Sequence, residues 1–373
     1  MTADTREPVL IITDIGRDID DTIALMVASQ TCHIVGIVTC GGAGQKRAAS
    51  AAHFLKYAGL DVSKVPICIG DTDAEYSDTS ALGCSMDPSW AAPETVREDP
   101  DAFIIELAEK YKSSLVIICI GPMVPLAKAV KADKNGALWK VRSIGLQGNV
   151  QEVMVESPDG EVDEETGKVK LVGTGKIEPL AEAFNFRQHM QDASFVLDRL
   201  SGFVPFQVVS KNAAYKVSLQ LDDVSFLGAD SAGEAVSEQT TLFRMNNREK
   251  FMQVFPLRAK YEGQVELYDA DDWYKYTDHV CTPYDPLVVL SYHDSSMFDF
   301  AQIGTLHLYA GVDPENSGVR KASTFIKAIA DLGTKAKEAG DAAAAKAASA
   351  GEAAPAPAEA PAPAEEAPAP AEE

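Results

Sequence analysis

The pattern of apolar and polar positions is clearest near the start of the chain. Residues 9–13 (VLIIT) form a short apolar or β-branched run that ends abruptly in acidic sequence. Such a run, bounded by turn residues, is typical of a buried strand. Gly16 interrupts the pattern, and the apolar residues between Ile23 and Ala28 then recur on one face at helical spacing. This spacing predicts a helix that begins near Asp20.

Strand and helix patterns then alternate along most of the chain. We predict strands at residues 33–39, 65–69, 115–120, 141–146, 203–210 and 303–308. We predict helices at residues 45–59, 101–111, 124–131, 177–200 and 282–292, and a mostly helical region at 219–259. Acids and turn formers between residues 151 and 170 predict an exposed hairpin or insertion. The alternation predicts an α/β fold with a mainly parallel central sheet and helices on both faces.

The composition changes after about Gly340, where alanine-rich sequence gives way to APAPAEAPAPAEEAPAPAEE. This segment has no large apolar residue, so it cannot bury enough surface to offset the entropy lost on ordering. Alternating Pro and Ala favour extended polyproline II structure, as in a semi-rigid tether or an inert tail. We therefore predict one domain over residues 1–340 and a disordered tail over residues 341–373.

Charge and composition limit the classes of partner and the compartment. The chain has 373 residues and a formal net charge of −23, which argues against nucleic acid or an anionic membrane as a partner. No apolar run approaches the roughly 18 residues that span a bilayer, and the N-terminus lacks the apolar core of a signal peptide. The six cysteines have no C-x-x-C spacing, and several lie in apolar runs, so we interpret them as reduced and buried. These features predict a cytoplasmic protein.

Four carboxylates, Asp14, Asp18, Asp20 and Asp21, are crowded between the first predicted strand and helix. Like charges this close raise one another's pKa unless a positive charge lies among them. A helix N-terminus supplies only about half a charge, so a hard divalent cation with oxygen ligands is the stronger candidate. Alternatively, Asp20 and Asp21 only cap the helix and the other two are solvated. The position at the carboxyl end of a strand, where open α/β sheets bind ligands, favours the metal site.

The segment TDIGRDIDDTIAL resembles the N-terminal signature of the inosine-uridine-preferring nucleoside hydrolases, in a longer form that contains D-I-G-x-D-I-D-D. Three later segments resemble the family in the same order, namely IGPMVPLAKAV (120–130), LAEAFNF (180–186) and TPYDPLVVL (282–290). The resemblance spans about residues 9–308. It implies a nucleoside-hydrolase-like fold and hydrolysis of the N-glycosidic bond of small-molecule ribonucleosides to ribose and free base. We also expect a homo-oligomer, either a dimer or a tetramer.

The resemblance also implies a Ca²⁺ site and a catalytic residue. Asp14, Asp21 and Asp285 would be calcium ligands, and the main-chain carbonyl of Val124 would complete the shell. A calcium ion can hold the attacking water and the ribose hydroxyls together and lower the pKa of that water. Asp14 would also be the general base that accepts the proton from the water.

Substrate contacts follow from the same resemblance. Asp20 would bind the ribose diol, and Glu182 and Asn185 would bind the other hydroxyls. Taken singly, Glu182 and Asn185 also fit an exposed helix face, and Asp285 fits an ordinary helix N-terminus. Asp18 belongs to the longer form of the signature and has no assigned role.

Several positions depart from the family. Leu146-Gln147-Gly148 stands where the family has Met-Gly-Gly, Lys176 replaces a ribose-facing Asn, and Tyr284 replaces a His that is credited with helping the leaving base. Lys176 and Tyr284 are still candidates for substrate binding, and a cationic Lys176 suits an anionic or phosphorylated substrate. These departures leave open an alternative, in which the chain is a non-catalytic protein on the same fold. That protein would bind a ligand or act as a structural component tethered by its tail.

Overall fold

The structure is a computed structural model that describes residues 5–16, 19–70, 90–220, 222–227, 279–313 and 315–352. Its strands are β1 (Pro8–Thr13), β2 (His33–Thr39), β3 (Ile67–Ile69), β4 (Val116–Cys119), β5 (Ser143–Gln147), β6 (Val150–Glu156), β7 (Leu171–Pro179), β8 (Phe206–Val209), β9 (Leu219–Gln220), β10 (His279–Cys281), β11 (Ala301–Ile303) and β12 (His307–Ala310). Its α-helices are α1 (Asp20–Thr31), α2 (Gly44–Tyr57), α3 (Pro100–Tyr111), α4 (Val124–Ala132), α5 (Phe184–Gln188), α6 (Met190–Leu200), α7 (Lys211–Ala214), α8 (Tyr284–His293) and α9 (Ala322–Glu352).

A central eight-stranded sheet organises these elements in the order β11-β12-β8-β5-β4-β1-β2-β3. Every neighbouring pair is parallel except β11 and β12, which pair antiparallel at one edge. The predicted α/β fold with a mainly parallel sheet is therefore confirmed. The chain adds β2 and β3 on one side of β1, and then β4, β5 and β8 on the other. The carboxyl end of β1 thus lies at a topological switch point, where open α/β sheets bind ligands.

The sequence of β1 is apolar from Val9 to Ile12, where both faces of the strand are buried. Val9 and Ile11 pack on one face of the sheet with apolar residues of α1, α2, α8 and α9. Leu10 and Ile12 pack on the other face with apolar residues of α3, α4 and α6. Successive residues of a strand point to opposite faces, so a central strand covered on both sides needs an unbroken apolar run. The first polar residues can therefore appear only where the strand ends.

Three element predictions differ from the structure. The exposed hairpin is present as β6 and β7, but β7 extends to Pro179, so residues 177–179 are strand and the helices begin at Phe184. The strand predicted at 303–308 is two strands joined by a turn in which Gly304 has φ +57°. In the region 219–259, Leu219–Gln220 is a strand paired with β10, residues 222–227 form a 3-10 helix, and the rest lies outside the described residues.

The last helix, α9, is part of the core. Phe325, Ile329, Leu332 and Ala336 are buried in it against the same face of the sheet as α1. The helix continues to Glu352 and so passes the boundary predicted at residue 340, because alanine-rich sequence favours a helix. Side chains 341–349 are exposed. The division into domain and tail stays a prediction, and residues 353–373 lie outside the described part of the chain.

The structure also describes the cysteines and the helices to which two of the composition-based predictions refer. Cys32, Cys40, Cys68 and Cys119 are free and buried, as we predicted for the cysteines in apolar runs. Among the described residues, no helix combines the length and the apolarity that crossing a bilayer requires.

Candidate functional site

Three buried carboxylates meet near the carboxyl end of β1. Asp20 and Asp21 are the first two residues of α1, and Asp285 is the second residue of α8. One carboxylate oxygen from each residue lies within 4.8 Å of the other two. The three residues are only 3–5% exposed. We call Asp20, Asp21 and Asp285 the carboxylate cluster.

The charge balance of the cluster indicates what it can bind. The pKa of Asp21 is raised well above its ordinary value, mainly by burial and then by the charges of Asp14 and Asp20. The Thr13 hydroxyl donates a hydrogen bond to Asp21, and Arg47 supplies a positive charge, and both lower this pKa. A cation among the carboxylates would offset the cost of burying like charges. Because all the donor atoms are carboxylate oxygens, the residues fit a hard divalent cation.

Asp14 lies beside the cluster, and its charge raises the pKa of Asp21. The loop after β4 comes close to Asp14, because a Cβ at Gly121 would lie 2.9 Å from Asp14 Oδ1. Val124 begins α4 on the same edge of the sheet. The structure therefore brings Asp21 and Asp285 together. It adds Asp20, a residue to which the resemblance gives a ribose-binding role, and it leaves Asp14 beside the cluster. Asp18 lies outside the described residues.

Two buried amides form a second group at this edge. Asn185 Nδ2 donates to the main-chain carbonyl of Ile120 at 2.7 Å and to Gln147 Oε1 at 3.2 Å. The Ile120 carbonyl can only accept, which fixes the orientation of the Asn185 amide, and the two bonds use both hydrogens of its nitrogen. Asn185 therefore offers only Oδ1, an acceptor, to a ligand, whereas Gln147 keeps its Nε2 donors. Gln147 ends β5 and Ile120 follows β4, so both amides lie at the carboxyl ends of central strands.

Lys211 is a cation at this edge that the sequence did not suggest. It begins α7 directly after β8, and its Nζ donates to the main-chain carbonyl of Glu182 at 3.5 Å. Burial lowers the pKa of Lys211, the Glu182 carboxylate raises it, and Arg187 lowers it further. Glu182 is exposed, so this part of the edge is open to solvent. The only available signal was the position of Lys211 immediately after a predicted strand.

Tyr284 and Lys176 have different surroundings. Tyr284 is next to Asp285 in α8, and its ring packs edge-to-face on Tyr215 at a centroid distance of 6.1 Å. Lys176 Nζ instead donates to the carboxylate of Asp198 at 3.2 Å and to the carbonyl of the same residue at 3.3 Å. Asp198 is near the end of α6, which leads towards the amino end of β8. The structure therefore does not bring Lys176 to the carboxylates, because the register of the long β6–β7 hairpin holds it along α6.

Arg47 is a further residue of the site that the sequence did not reveal. It lies in the first turn of α2, it is only 3% exposed, and its guanidinium lies between the loops that follow β1 and β2. In the sequence Arg47 is indistinguishable from its neighbour Lys46, which is exposed. Only the packing of α2 on the sheet shows which of the two basic residues points inward.

The chain resembles known proteins over most of its length. Residues 9–349 match the family described as Inosine-uridine preferring nucleoside hydrolase. None of the curated proteins matches the chain. Similar solved structures include the type III effector protein XopQ complexed with adenosine diphosphate ribose, which is 19% identical over 90% of this chain and 94% of that chain, with a TM-score of 0.63.

Two enzymes are also among the similar structures. The plant nucleoside hydrolase PpNRh1 is 16% identical over 88% of this chain and 99% of that chain, with a TM-score of 0.52. A purine-preferring ribonucleoside hydrolase from Gardnerella vaginalis is 16% identical over 90% of this chain and 100% of that chain, with a TM-score of 0.53. At these identities the structural likeness shows the fold alone. The family match covers nearly the whole chain, and the chain therefore belongs to the inosine-uridine preferring nucleoside hydrolase family.

Proposed function

We propose that this protein hydrolyses the N-glycosidic bond of ribonucleosides and releases ribose and a free base. We propose that the carboxylate cluster holds a divalent cation for this reaction, with Ca²⁺ as the first candidate. The observation that carries the proposal is the meeting of three buried carboxylates at the switch point of the sheet. Membership of the family supports a hydrolase activity in general. A homo-oligomeric state and a cytoplasmic location stay predictions.

The residues around the cluster have chemically distinct roles in this proposal. Hydrolysis passes through an oxocarbenium-like sugar. The bond from the anomeric carbon to the base breaks, the base nitrogen keeps the bonding electrons and gains a proton from solvent, and a water oxygen bonds to the anomeric carbon. Asp14 is half-buried beside the cluster and accepts the proton from that water. When bound, a hard divalent cation supplies positive charge that makes the water easier to deprotonate. Tyr284, which precedes Asp285 in α8, is the candidate to contact the leaving base.

The sugar contacts follow from the hydrogen bonds of the two amides. Since both hydrogens of Asn185 Nδ2 are used within the protein, Asn185 accepts a hydrogen bond from a ribose hydroxyl through Oδ1. Gln147 Nε2 is a donor that can bind a ribose oxygen. Asp20 can accept from the ribose diol while it is also a cluster member. Glu182 stays a candidate for a more exposed hydroxyl, close to Lys211.

A phosphorylated ribosyl compound is a second candidate substrate. It is favoured by two cations, Lys211, whose Nζ reaches the Glu182 carbonyl, and Arg187, which is close enough to lower the pKa of Lys211. XopQ, one of the similar structures, is complexed with adenosine diphosphate ribose. A nucleoside diphosphate sugar of this kind carries a ribose at one end and two phosphates that a cation pair can bind.

The test is the release of free base from inosine, uridine, adenosine and ADP-ribose, with calcium and with a chelator. The three nucleosides then also yield free ribose, whereas ADP-ribose yields adenine and no free ribose. Calcium-dependent release of ribose from one or more nucleosides is the expected result. Release of adenine from ADP-ribose, or inhibition of nucleoside hydrolysis by ADP-ribose, would support the second candidate. If no base is released from any of them while the protein still binds calcium and ribose, the non-catalytic alternative replaces the proposal.

A further inference from the structure

The buried guanidinium of Arg47 bonds only to main-chain carbonyls in the described structure. Its Nη1 donates to the carbonyls of Asp14 and Ile15, the second at 2.7 Å. Its Nε donates to the Gly42 carbonyl at 2.9 Å, and its Nη2 donates to the Gly41 carbonyl at 3.0 Å. One side chain thus holds the loop after β1 to the loop after β2.

This arrangement depends on the shape of the guanidinium and on the two glycines. Arginine presents five N–H donors in a rigid plane, whereas lysine presents three donors at a single point. Gly41 and Gly42 have φ values of +82° and +75°, which a residue with a side chain rarely adopts. Their carbonyls can therefore turn towards Arg47. The two loops follow the paired strands β1 and β2, and the Cys40 main-chain N–H donates to the Thr13 carbonyl at 2.9 Å where these strands end.

We propose that Arg47 is a positioning residue for the candidate site: it fixes the main chain of Asp14 so that the carboxylate stays beside the cluster, and its charge offsets part of the repulsion there. The metal-dependent consequences of this inference rest on the proposed function. The positioning itself does not, because it concerns only the main chain of two loops.

The test compares Arg47→Lys, which keeps the charge but not the planar fork, with Arg47→Met, which loses both. Arg142→Lys is the matched control, because Arg142 is half-exposed and pairs with Glu7 away from the cluster. Two main-chain amides report on the loops by hydrogen exchange in the calcium-free protein. These are Ile15 N–H, which donates to Thr13 Oγ1 at 3.1 Å, and Cys40 N–H.

We expect exchange at these two amides to speed up about tenfold or more in Arg47→Lys and to stay unchanged in Arg142→Lys. Calcium affinity, measured by titration calorimetry, should fall about tenfold to a hundredfold in Arg47→Lys, as when a group that orients a metal ligand is lost. At saturating calcium, kcat of Arg47→Lys should also fall by about ten- to a hundredfold, whereas KM for the nucleoside should change much less. A displaced general base slows the chemical step but hardly affects substrate binding.

The outcomes distinguish the positioning role of Arg47 from the proposed function. Unchanged exchange in Arg47→Lys overturns the positioning role, whatever the activity. Faster exchange with wild-type calcium affinity also overturns it, because the loops would then not control the site. Faster exchange in a protein that neither binds calcium nor releases ribose upholds the positioning of the loops and refutes the proposed function. If Arg47→Met does not fold, the comparison of Arg47→Lys with Arg142→Lys still decides.

Discussion

Replacement of Asp21 by Asn should stabilise the calcium-free protein and remove its response to calcium. Two ionised carboxylates separated by 4.8 Å, the upper limit within the cluster, repel by about 3 kcal/mol at an effective dielectric constant of about 20. Asp21 faces two such partners, although a proton on the cluster already relieves part of the repulsion. The loss of a negative charge from the first turn of α1 costs only about 0.3–1 kcal/mol. We therefore expect the free energy of unfolding of Asp21→Asn to exceed that of the wild type by about 1–3 kcal/mol in chelator.

With calcium present, the wild type should become more stable than Asp21→Asn. A ligand present at about 1,000 times its Kd stabilises the native state by about 4.1 kcal/mol, which exceeds the difference of about 1–3 kcal/mol expected in chelator. The wild type should gain this increment, and Asp21→Asn, which loses one anionic ligand, should gain little. The amide oxygen of the introduced asparagine can still accept the hydrogen bond from Thr13, so the local packing is kept.

Urea unfolding with calcium and with chelator measures both effects. Asp192→Asn is the control, because Asp192 pairs with Lys131 on the surface and its loss should change stability by less than about 1 kcal/mol in either condition. The reasoning is refuted if Asp21→Asn is less stable than the wild type in chelator. It is also refuted if the variant gains as much from calcium as the wild type does.

The pH dependence of the calcium-free protein follows from the same carboxylate. Because burial raises the pKa of Asp21, the native state keeps a proton that the unfolded chain has already lost. The retained proton on Asp21 contributes to the free energy of unfolding. This contribution is present in full below the ordinary pKa of 3.8, and it is lost as pH rises through the raised pKa of the native state. In chelator, the wild type should therefore lose stability relative to Asp21→Asn from about pH 4 upward.

Three further predictions concern other parts of the molecule. Asp14→Asn should lower kcat for ribose release by about a hundred- to ten-thousand-fold without unfolding the protein. Tyr284→Phe should lower kcat much less, because a phenol is a weak acid and a poor proton donor, and the opposite ranking would contradict these roles. Asn185→Asp should lower the free energy of unfolding at pH 7 by about 1–3 kcal/mol, because a carboxylate oxygen would replace the N–H donor that faces the Ile120 carbonyl. An unchanged midpoint of urea unfolding would show that the hydrogen bonds of this amide contribute little to stability. Truncation after Gly340 should leave the melting temperature and any ribose release unchanged, because side chains 341–349 are exposed. Aggregation of the truncated chain would show that the end of α9 is needed for folding.

The sequence was sufficient for the parts of the site that are local. An apolar run that ends in acids predicts a buried strand with a polar loop, and the paired Asp20 and Asp21 open the following helix as expected. Asp285 is different, because it is more than 200 residues away in the chain and nothing local links it to the cluster. Its role could be suggested only by resemblance. The packing of α8 against α1 supplies the contact.

The sequence was insufficient where the direction of one side chain depends on distant packing. Lys176 lies in a segment that resembles a sugar-binding motif, but the register of β6 and β7 directs it to Asp198. Arg47 and Lys46 are adjacent in a predicted helix, and the orientation of that helix on the sheet decides which is buried. The bond between Asn185 and Gln147 joins a strand end to a short helix that follows a long hairpin. Periodicity along the chain contains no information about such contacts.

The charge of the whole protein limits which substrate the site can prefer. A net charge of −23 creates a field that attracts cations and repels anions, and that field is screened over about 8 Å at physiological salt. The field favours a divalent cation at the carboxylate cluster, and it neither helps nor hinders a neutral nucleoside. A phosphorylated ligand would have to overcome this field through cations such as Lys211 and Arg187, and the nearby Glu182 carboxylate offsets part of the charge of Lys211. We therefore propose a neutral ribonucleoside, rather than a phosphorylated ligand, as the substrate class.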